Sequence, residues 1–343
     1  MPKILVITSR DLFSDGGEKN LMKNKDLALR TLEYDVRYLI FRGIFNKSSQ
    51  GADFTIFGHY SLLDGILHFR QINKNILTFN PDVIVYSGLL SYLFFFLFGA
   101  HRAKRSLDYQ GALEEIIEYQ NKGAAILSKF YYTFFKFLEQ KIYKNVDNIE
   151  IVSDNCRVHL QSTYGETKAT FSFVPCVLLE IFDDEKYAEN RQKWRSKFAF
   201  DDNELAAVYA GGVSKWQCID DVMRFFNGFE GRSYVFTSTD NIVSLSEQFP
   251  NSKVSMMTLT PEELKEALCA FDFGLLPREE DRTNFVAWPN KASEYYNARL
   301  TILLKSDKIG FYESLKEACQ IQLNYNYSEN IYRKVKFNLQ KVN

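Results

Sequence analysis

The groups in this chain best suited to chemistry are a few lysines, a glutamate and two pairs of glycines, each set beside an apolar run. In Tyr209-Ala-Gly-Gly-Val-Ser-Lys-Trp-Gln217, Gly211 and Gly212 follow a strand-like run, with Ser214 and Lys215 just behind them. Backbone can approach a phosphate closely at glycine, and Lys215 can supply charge to a diphosphate. A surface lysine beside a turn explains the same residues without a ligand. A second stretch, Pro277-Arg-Glu-Glu-Asp-Arg-Thr-Asn-Phe-Val-Ala-Trp-Pro-Asn-Lys-Ala-Ser-Glu-Tyr-Tyr-Asn297, follows the apolar run 271–276. Its opening of about a dozen residues is a long connection, and loops of that length tend to be functional. Pro289 is expected to open a helix, placing Lys291 and Glu294 near its first turn. A carboxylate there complements the helix dipole on its own account, or accepts two hydrogen bonds from a ribose diol. Lys291 sits where a cation is unfavourable, which asks for an anion nearby.

The other glycine pair, Gly16 and Gly17 in Ser14-Asp-Gly-Gly-Glu-Lys19, lies between a strand-like run and a helical one. Free amides at a helix start attract anions, but glycines also simply permit a tight turn, and loop physics leaves both open. Neither glycine loop has G-x-G-x-x-G spacing and no G-K-[ST] occurs, which disfavours a nicotinamide dehydrogenase or a P-loop kinase. The cysteines Cys156, Cys176, Cys218, Cys269 and Cys319 are widely and irregularly spaced, and there are only four histidines. No metal site is expected from them. Their odd number also argues against a secreted disulfide scaffold and reads as reducing cytosol. A net charge of -1 carries no basic field, so no nucleic-acid partner is expected.

The elements that must position these groups alternate strand and helix, the pattern of a parallel sheet covered on both faces. Residues 4–8, 34–41, 81–86, 105–109 and 149–153 read as strands, with helices over 18–32 and from an N-cap at Ser153 to about Tyr164. A second series starts after a charged helical linker at 183–200, with strands over 205–209, 233–237, 254–257, 271–276 and 300–304. Thr260, Pro261, Glu262 and Glu263 start a helix, and 328–339 reads as a terminal one. This predicts an α/β chain of two Rossmann-like domains facing a cleft, 1–177 and 178–325, with 326–343 packing back on the first. The apolar stretch 83–100 is broken by Ser87, Gly88 and Ser91 and reads as strand, turn and buried helix rather than a membrane span.

On these motifs the chain resembles the GT-B-fold, retaining, glycogen-synthase-like (group 1) glycosyltransferases, especially those of bacterial capsule, O-antigen and exopolysaccharide synthesis. Tyr209 to Cys218 matches the family's Y-x-G-x-x-x-K-W-x-G, and Pro289 to Arg299 its P-x-K-x-x-E-Y-x-x-x-G. Gly16-Gly17, Asp108-Tyr-Gln-Gly-Ala-Leu-Glu-Glu115 and Ile151-Val-Ser-Asp154 match shorter first-domain motifs. The resemblance implies a retaining, metal-independent hexosyltransferase with no cofactor and a UDP- or GDP-sugar as donor. It implies a donor site of Gly211, Gly212, Ser214, Lys215, Arg278, Asn284, Lys291 and Glu294, with Lys215 and Glu294 essential to turnover. Gly16, Gly17, Asp108, Gln110 and Gly111 would lie on the acceptor or phosphate side. The acceptor would be a saccharide, free or lipid-linked.

Three departures stand out. The first of the family's paired glutamates falls at Val286, its first-domain histidine is Gln110, and Arg299 and Thr301 replace a glycine and a proline. Contacts to the donor sugar's hydroxyls would then fall to Asn284 or Glu280. A catalytically silent homologue supporting a partner transferase is therefore the main alternative, with a nucleotide-sugar epimerase behind it. Finally, residues 128–144 mix aromatics with four lysines at helical spacing. This reads either as a core helix with its lysines in water, or as an interfacial helix on the inner face of the cytoplasmic membrane.

Overall fold

The computed structural model describes residues 1–10, 12, 17–41, 54–98, 102–119, 125–174, 182–201, 203–305, 312 and 321–322. The chain divides into two compact units, Met1–Leu179 with Val286–Trp288, and Glu180–Phe285 with Pro289–Asn343.

Unit 1 holds seven strands: β1 (Lys3–Thr8), β2 (Asp35–Phe41), β3 (Ile56–Tyr60), β4 (Val83–Ser87), β5 (Lys104–Tyr109), β6 (Asn148–Ile151) and β7 (Thr170–Phe173). They form one all-parallel sheet of order β3-β2-β1-β4-β5-β6-β7. Central parallel strands are covered on both faces and so must be apolar throughout. Accordingly Ile4 to Thr8 are all buried. Ile4, Val6, Val36, Tyr38, Ile40 and Val85 pack with Leu12 and Met22 on one side of the sheet. The stretch from residue 83 resolves into β4, a turn and helix Ser91–Leu97. Among the described residues no helix is long and apolar enough to cross a membrane.

Unit 2 repeats the plan with β8 (Ala206–Ala210), β9 (Arg232–Phe236), β10 (Ser255–Met257), β11 (Phe273–Leu275), β12 (Thr301–Leu303) and β13 (Ile321–Gln322). Their parallel order, β10-β9-β8-β11-β12-β13, is the dinucleotide-fold order 3-2-1-4-5-6 counted within the unit. Helix Asp184–Lys197, anticipated as a linker, belongs to this unit. Arg191 ties it down by donating to the carbonyls of Cys269 and Phe271 at 3.0 Å and to Asp272 at 2.8 Å. Helix Pro261–Leu268 starts as expected, on a reciprocal capping box between Thr260 and Glu263.

The sequence reading omitted β3, β7 and β13, all at or next to sheet edges and two of them largely polar or short. Such strands lack the apolar run that identifies a buried one. Ser153 does not cap helix Asp154–Tyr164 through its side chain. Within unit 1 its hydroxyl donates instead to the carbonyl of Val286 at 2.8 Å. The terminal helix anticipated over 328–339 lies outside the described residues.

Candidate functional site

In an open parallel sheet, ligands sit beyond the carboxyl ends of the strands where the order reverses, which in unit 2 is between β8 and β11. The chain leaving β8 passes through Gly211 and Gly212 into a single 3-10 turn, Lys215–Gln217. The chain leaving β11 passes through Arg278 to a short helix, Arg282–Val286, set inside the long connection read as a loop. Arg278, itself buried, ties the two together by donating to the carbonyl of Trp216 at 3.0 Å. Tyr295 stitches the strands beneath: its hydroxyl accepts from Ala210 N at 2.9 Å and faces the Leu275 carbonyl at 3.3 Å.

Lys291 occupies the centre of this arrangement, only 8% exposed at the start of helix Asn290–Asn297. Its Nζ donates to Tyr209 Oη at 2.7 Å and Gln217 Oε1 at 2.8 Å, and lies 3.9 Å from the Tyr209 ring centroid. The Tyr209 hydroxyl in turn donates to the Gly212 carbonyl at 2.6 Å. Gly211 has φ +132°, and a Cβ there would lie 2.7 Å from Lys291 Cε and 2.8 Å from Nζ. Backbone conformation and close approach thus both require glycine at this one position. Within the chain Lys291 meets neutral acceptors in place of the anion expected beside it. Among the described residues no carboxylate lies within ion-pair distance of it. Burial first, and the like charge of Arg278 second, push its amine well below the ordinary lysine range, with Glu294 offsetting only part.

Glu294 lies three residues further along the helix, on the same face. It is partly buried, and among the described residues its carboxylate makes no hydrogen bond or ion pair. Burial pushes its carboxyl up, against the pull of Lys291 and Lys265. Lys215 is exposed on the 3-10 turn, also without an ion pair among the described residues, and Ser214 precedes it. Asn284 is 1% exposed, and its backbone and side-chain amides donate to Asp281 at 2.7 and 3.1 Å. Its amide is therefore committed to the turn that starts its own helix. Glu280 is exposed. Cys218, Asp221 and Glu279 bring three ligand-type atoms within 4.8 Å of one another. Lys305 Nζ donates to both carboxylates there, at 2.7 Å to Asp221, so an ammonium stands where a cation would.

In unit 1, Asp108 ends up in a closed network near the C-terminal end of β5. Ser87 Oγ donates to it at 2.6 Å, and Gln110 Nε2 to both its oxygens at 3.0 and 2.9 Å. Register sets Ser87, Asp108 and Glu150 side by side on β4, β5 and β6. Two carboxylates in adjacent strands would repel, and Lys25 from helix Gly17–Thr31 bridges them. Burial opposes charge on both partners, but the ion pairing wins. Asp108 is held below the usual carboxylate range by Lys25 and Arg10, and Lys25 is held above the lysine range. Gly17 begins helix Gly17–Thr31, Gly16 lies outside the described residues, and Gly111 is exposed with open space about it.

Sequence reasoning did not single out Gln217, Tyr295, Arg10, Ser87, Lys25 or Glu150 as members of these clusters. Nothing in the local pattern marks Lys25, which reads as one more charge on a mostly polar helix. The substitution at Arg299 has a visible consequence. Following helix Asn290–Asn297 it adopts φ +58°, the left-handed conformation that favours glycine, and is held by Asp184 at 2.6 Å and the Tyr187 ring at 4.4 Å.

Solved structures share this architecture. Sucrose-phosphate synthase from Thermosynechococcus elongatus superposes with a TM-score of 0.67 at 12% identity, over 99% of this chain and 90% of that one. HepE of Anabaena in complex with UDP-glucose gives 0.68 at 11%, over 99% and 91%. WaaG, a glycosyltransferase involved in lipopolysaccharide biosynthesis, gives 0.64 at 13%, over 98% and 90%. No protein-family model matches the chain, and no curated protein matches it. At these identities the likeness is one of fold: two Rossmann-like sheets in the GT-B architecture.

Proposed function

We propose that the protein is a glycosyltransferase moving a hexosyl group from a UDP- or GDP-sugar to a saccharide acceptor, free or lipid-linked, in cell-surface polysaccharide synthesis. One observation carries this reading. At the strand-order reversal of unit 2, a glycine turn lies over a buried lysine whose partners are all neutral, and on the same helix face Glu294 makes no hydrogen bond or ion pair among the described residues. Buried charged groups are normally matched by opposite charge, so Lys291 with neutral partners only and Glu294 with none suit a ligand that supplies an anion and hydroxyl donors. A diphosphate would take the amides of Gly211 and Gly212 with Lys215 and Lys291. A ribose diol would donate to Glu294. The match to a structure in complex with UDP-glucose agrees with such a donor.

In the retaining reaction the acceptor hydroxyl attacks the anomeric carbon from the side of the leaving group. The bond from that carbon to the diphosphate oxygen breaks with its electron pair, and the hydroxyl proton passes to the departing phosphate. The protein then contributes position and charge stabilisation, with no nucleophile of its own and no metal.

A second reading, a silent homologue that supports a partner transferase, is favoured by Val286. Where the family's first glutamate would fall, this chain has a fully buried valine assigned to unit 1. Calorimetric titration with UDP, GDP and their sugar conjugates separates the two. Saturable binding of one nucleotide, weakened about tenfold or more by Glu294→Ala, is expected of the transferase, since a hydrogen bond to a charged group is worth about 1.5–3 kcal/mol. No binding by any of them would favour the silent partner.

A further inference from the structure

Helix Ala125–Asn145 packs on unit 1 through Phe135, Leu138, Ile142 and Tyr143, and leaves another apolar face in solvent. Ile126 is 89% exposed, Leu127 and Phe130 71%, and Phe137 55%. At about 100° per residue these side chains and Phe134 share an arc of roughly 100°, well over the few scattered apolar residues a surface helix usually shows. The surface extends beyond this helix. Helix Ser91–Leu97 packs alongside it with Phe96 exposed, and its Phe94 meets Gly65 of helix Leu62–Leu67, where Leu63, Ile66 and Leu67 are exposed.

Charge says what this face fits. Lys129, Lys136, Lys141 and Lys144 lie along the helix, whose one carboxylate, Glu139, is buried and pushed up to about 8 by that burial. The neighbouring turn Glu115–Glu118 adds two exposed carboxylates, fewer than the lysines. Aromatics on one arc with lysines beside them suit the boundary between acyl chains and anionic headgroups. A protein partner would be expected to present acidic residues about an apolar centre, whereas exposed apolar side chains shared among three helices favour an extended lipid surface.

We propose that unit 1 docks on anionic phospholipid bilayers through helix Ala125–Asn145, with Phe130, Phe134 and Phe137 entering the interface and Lys129 and Lys141 meeting headgroup phosphates. The proposal deepens the transferase reading, on which it rests only for its purpose: a lipid-linked acceptor would be met at that surface.

The test is co-sedimentation of the full chain with vesicles of phosphatidylcholine, alone or mixed with phosphatidylglycerol. Wild type should bind the mixed vesicles at least tenfold more tightly than the neutral ones. Phe130→Ser/Phe134→Ser/Phe137→Ser should abolish binding, and Lys129→Glu/Lys141→Glu should remove the preference for phosphatidylglycerol. The lysine pair is exposed and keeps the test decisive if the aromatic variant fails to fold. Nucleotide titration of both variants should match wild type, so a failure of the donor site would show separately. Absence of wild-type binding, or equal binding to both vesicles, overturns the proposal. So does a wild-type dimer that the aromatic variant converts to a monomer, which would make the face an interface between copies.

Discussion

Each unit sets a largely buried lysine near the C-terminal ends of its strands, and the two lysines are treated oppositely. Lys25 lies between Asp108 and Glu150, a cation matched by carboxylates that would otherwise repel across β5 and β6. Lys291 has only a hydroxyl, an amide oxygen and an aromatic face, with its one nearby carboxylate unpaired. Burial raises the free energy of any charge, so the surroundings decide the protonation state. The first lysine is held as an ammonium and the second is driven toward the free amine. A saturated network stabilises a fold and an unsaturated one is open to a ligand, which is why Lys291 rather than Lys25 carries the functional reading.

The largest expected effect breaks the comparison directly. Lys25→Met takes the bridging cation from buried Asp108 and partly buried Glu150 and should cost about 3–5 kcal/mol in denaturant unfolding. Lys291→Met removes a poorly solvated amine with its hydrogen bonds and should stay within about 1.5 kcal/mol of wild type. Equal losses would mean that the two sites are alike. Next comes Gly211→Ala. It places a side chain at φ +132° against Lys291 and should destabilise by about 1–3 kcal/mol, weakening any nucleotide binding with it.

The smallest effect lies in the protons. Because the folded amine of Lys291 titrates below its ordinary 10.5, the unfolded chain binds the extra proton between those values. Wild type should therefore gain stability relative to Lys291→Met as pH rises through that window to 10.5. Asp108 has the opposite window. Its lowered carboxyl contributes stability that is present at neutral pH and lost as pH falls below the ordinary carboxylate range. A diphosphate beside Lys291 would restore its proton. Nucleotide binding at a pH between the lowered amine and 10.5 should then take up protons, read as a calorimetric enthalpy that varies with the buffer's own ionisation enthalpy. A buffer-independent enthalpy in wild type would place the phosphates elsewhere.

The central strands and the Gly211 turn were legible from residue order alone, because a strand covered on both faces must be apolar and a backbone at positive φ favours glycine. Lys291 and Glu294 were legible as a pair, by their spacing near a helix start. The direction in which Lys291 points was not: its partners Tyr209 and Gln217 are more than 70 residues away in sequence. Asp108 and Gln110 were placed on the acceptor side, but their side chains are engaged with each other, with Ser87 and with Lys25. The helix from Ala125 carried two readings that hydropathy could not separate, because aromatics at helical spacing serve a core or an interface equally well.

Local rules therefore determined the α/β alternation, the capping of helix Pro261–Leu268, the Gly211 turn and the residue types at the candidate site, since each depends on neighbours within a turn or a strand. Tertiary structure alone decided which charges are matched. Strand register set Asp108 beside Glu150, helix packing delivered Lys25 to them and left Lys291 without a counterion, and the balance of burial against those partners then set the direction in which each amine shifts. Whether a cation meets a carboxylate is a question of distance in space, and sequence separation does not encode it.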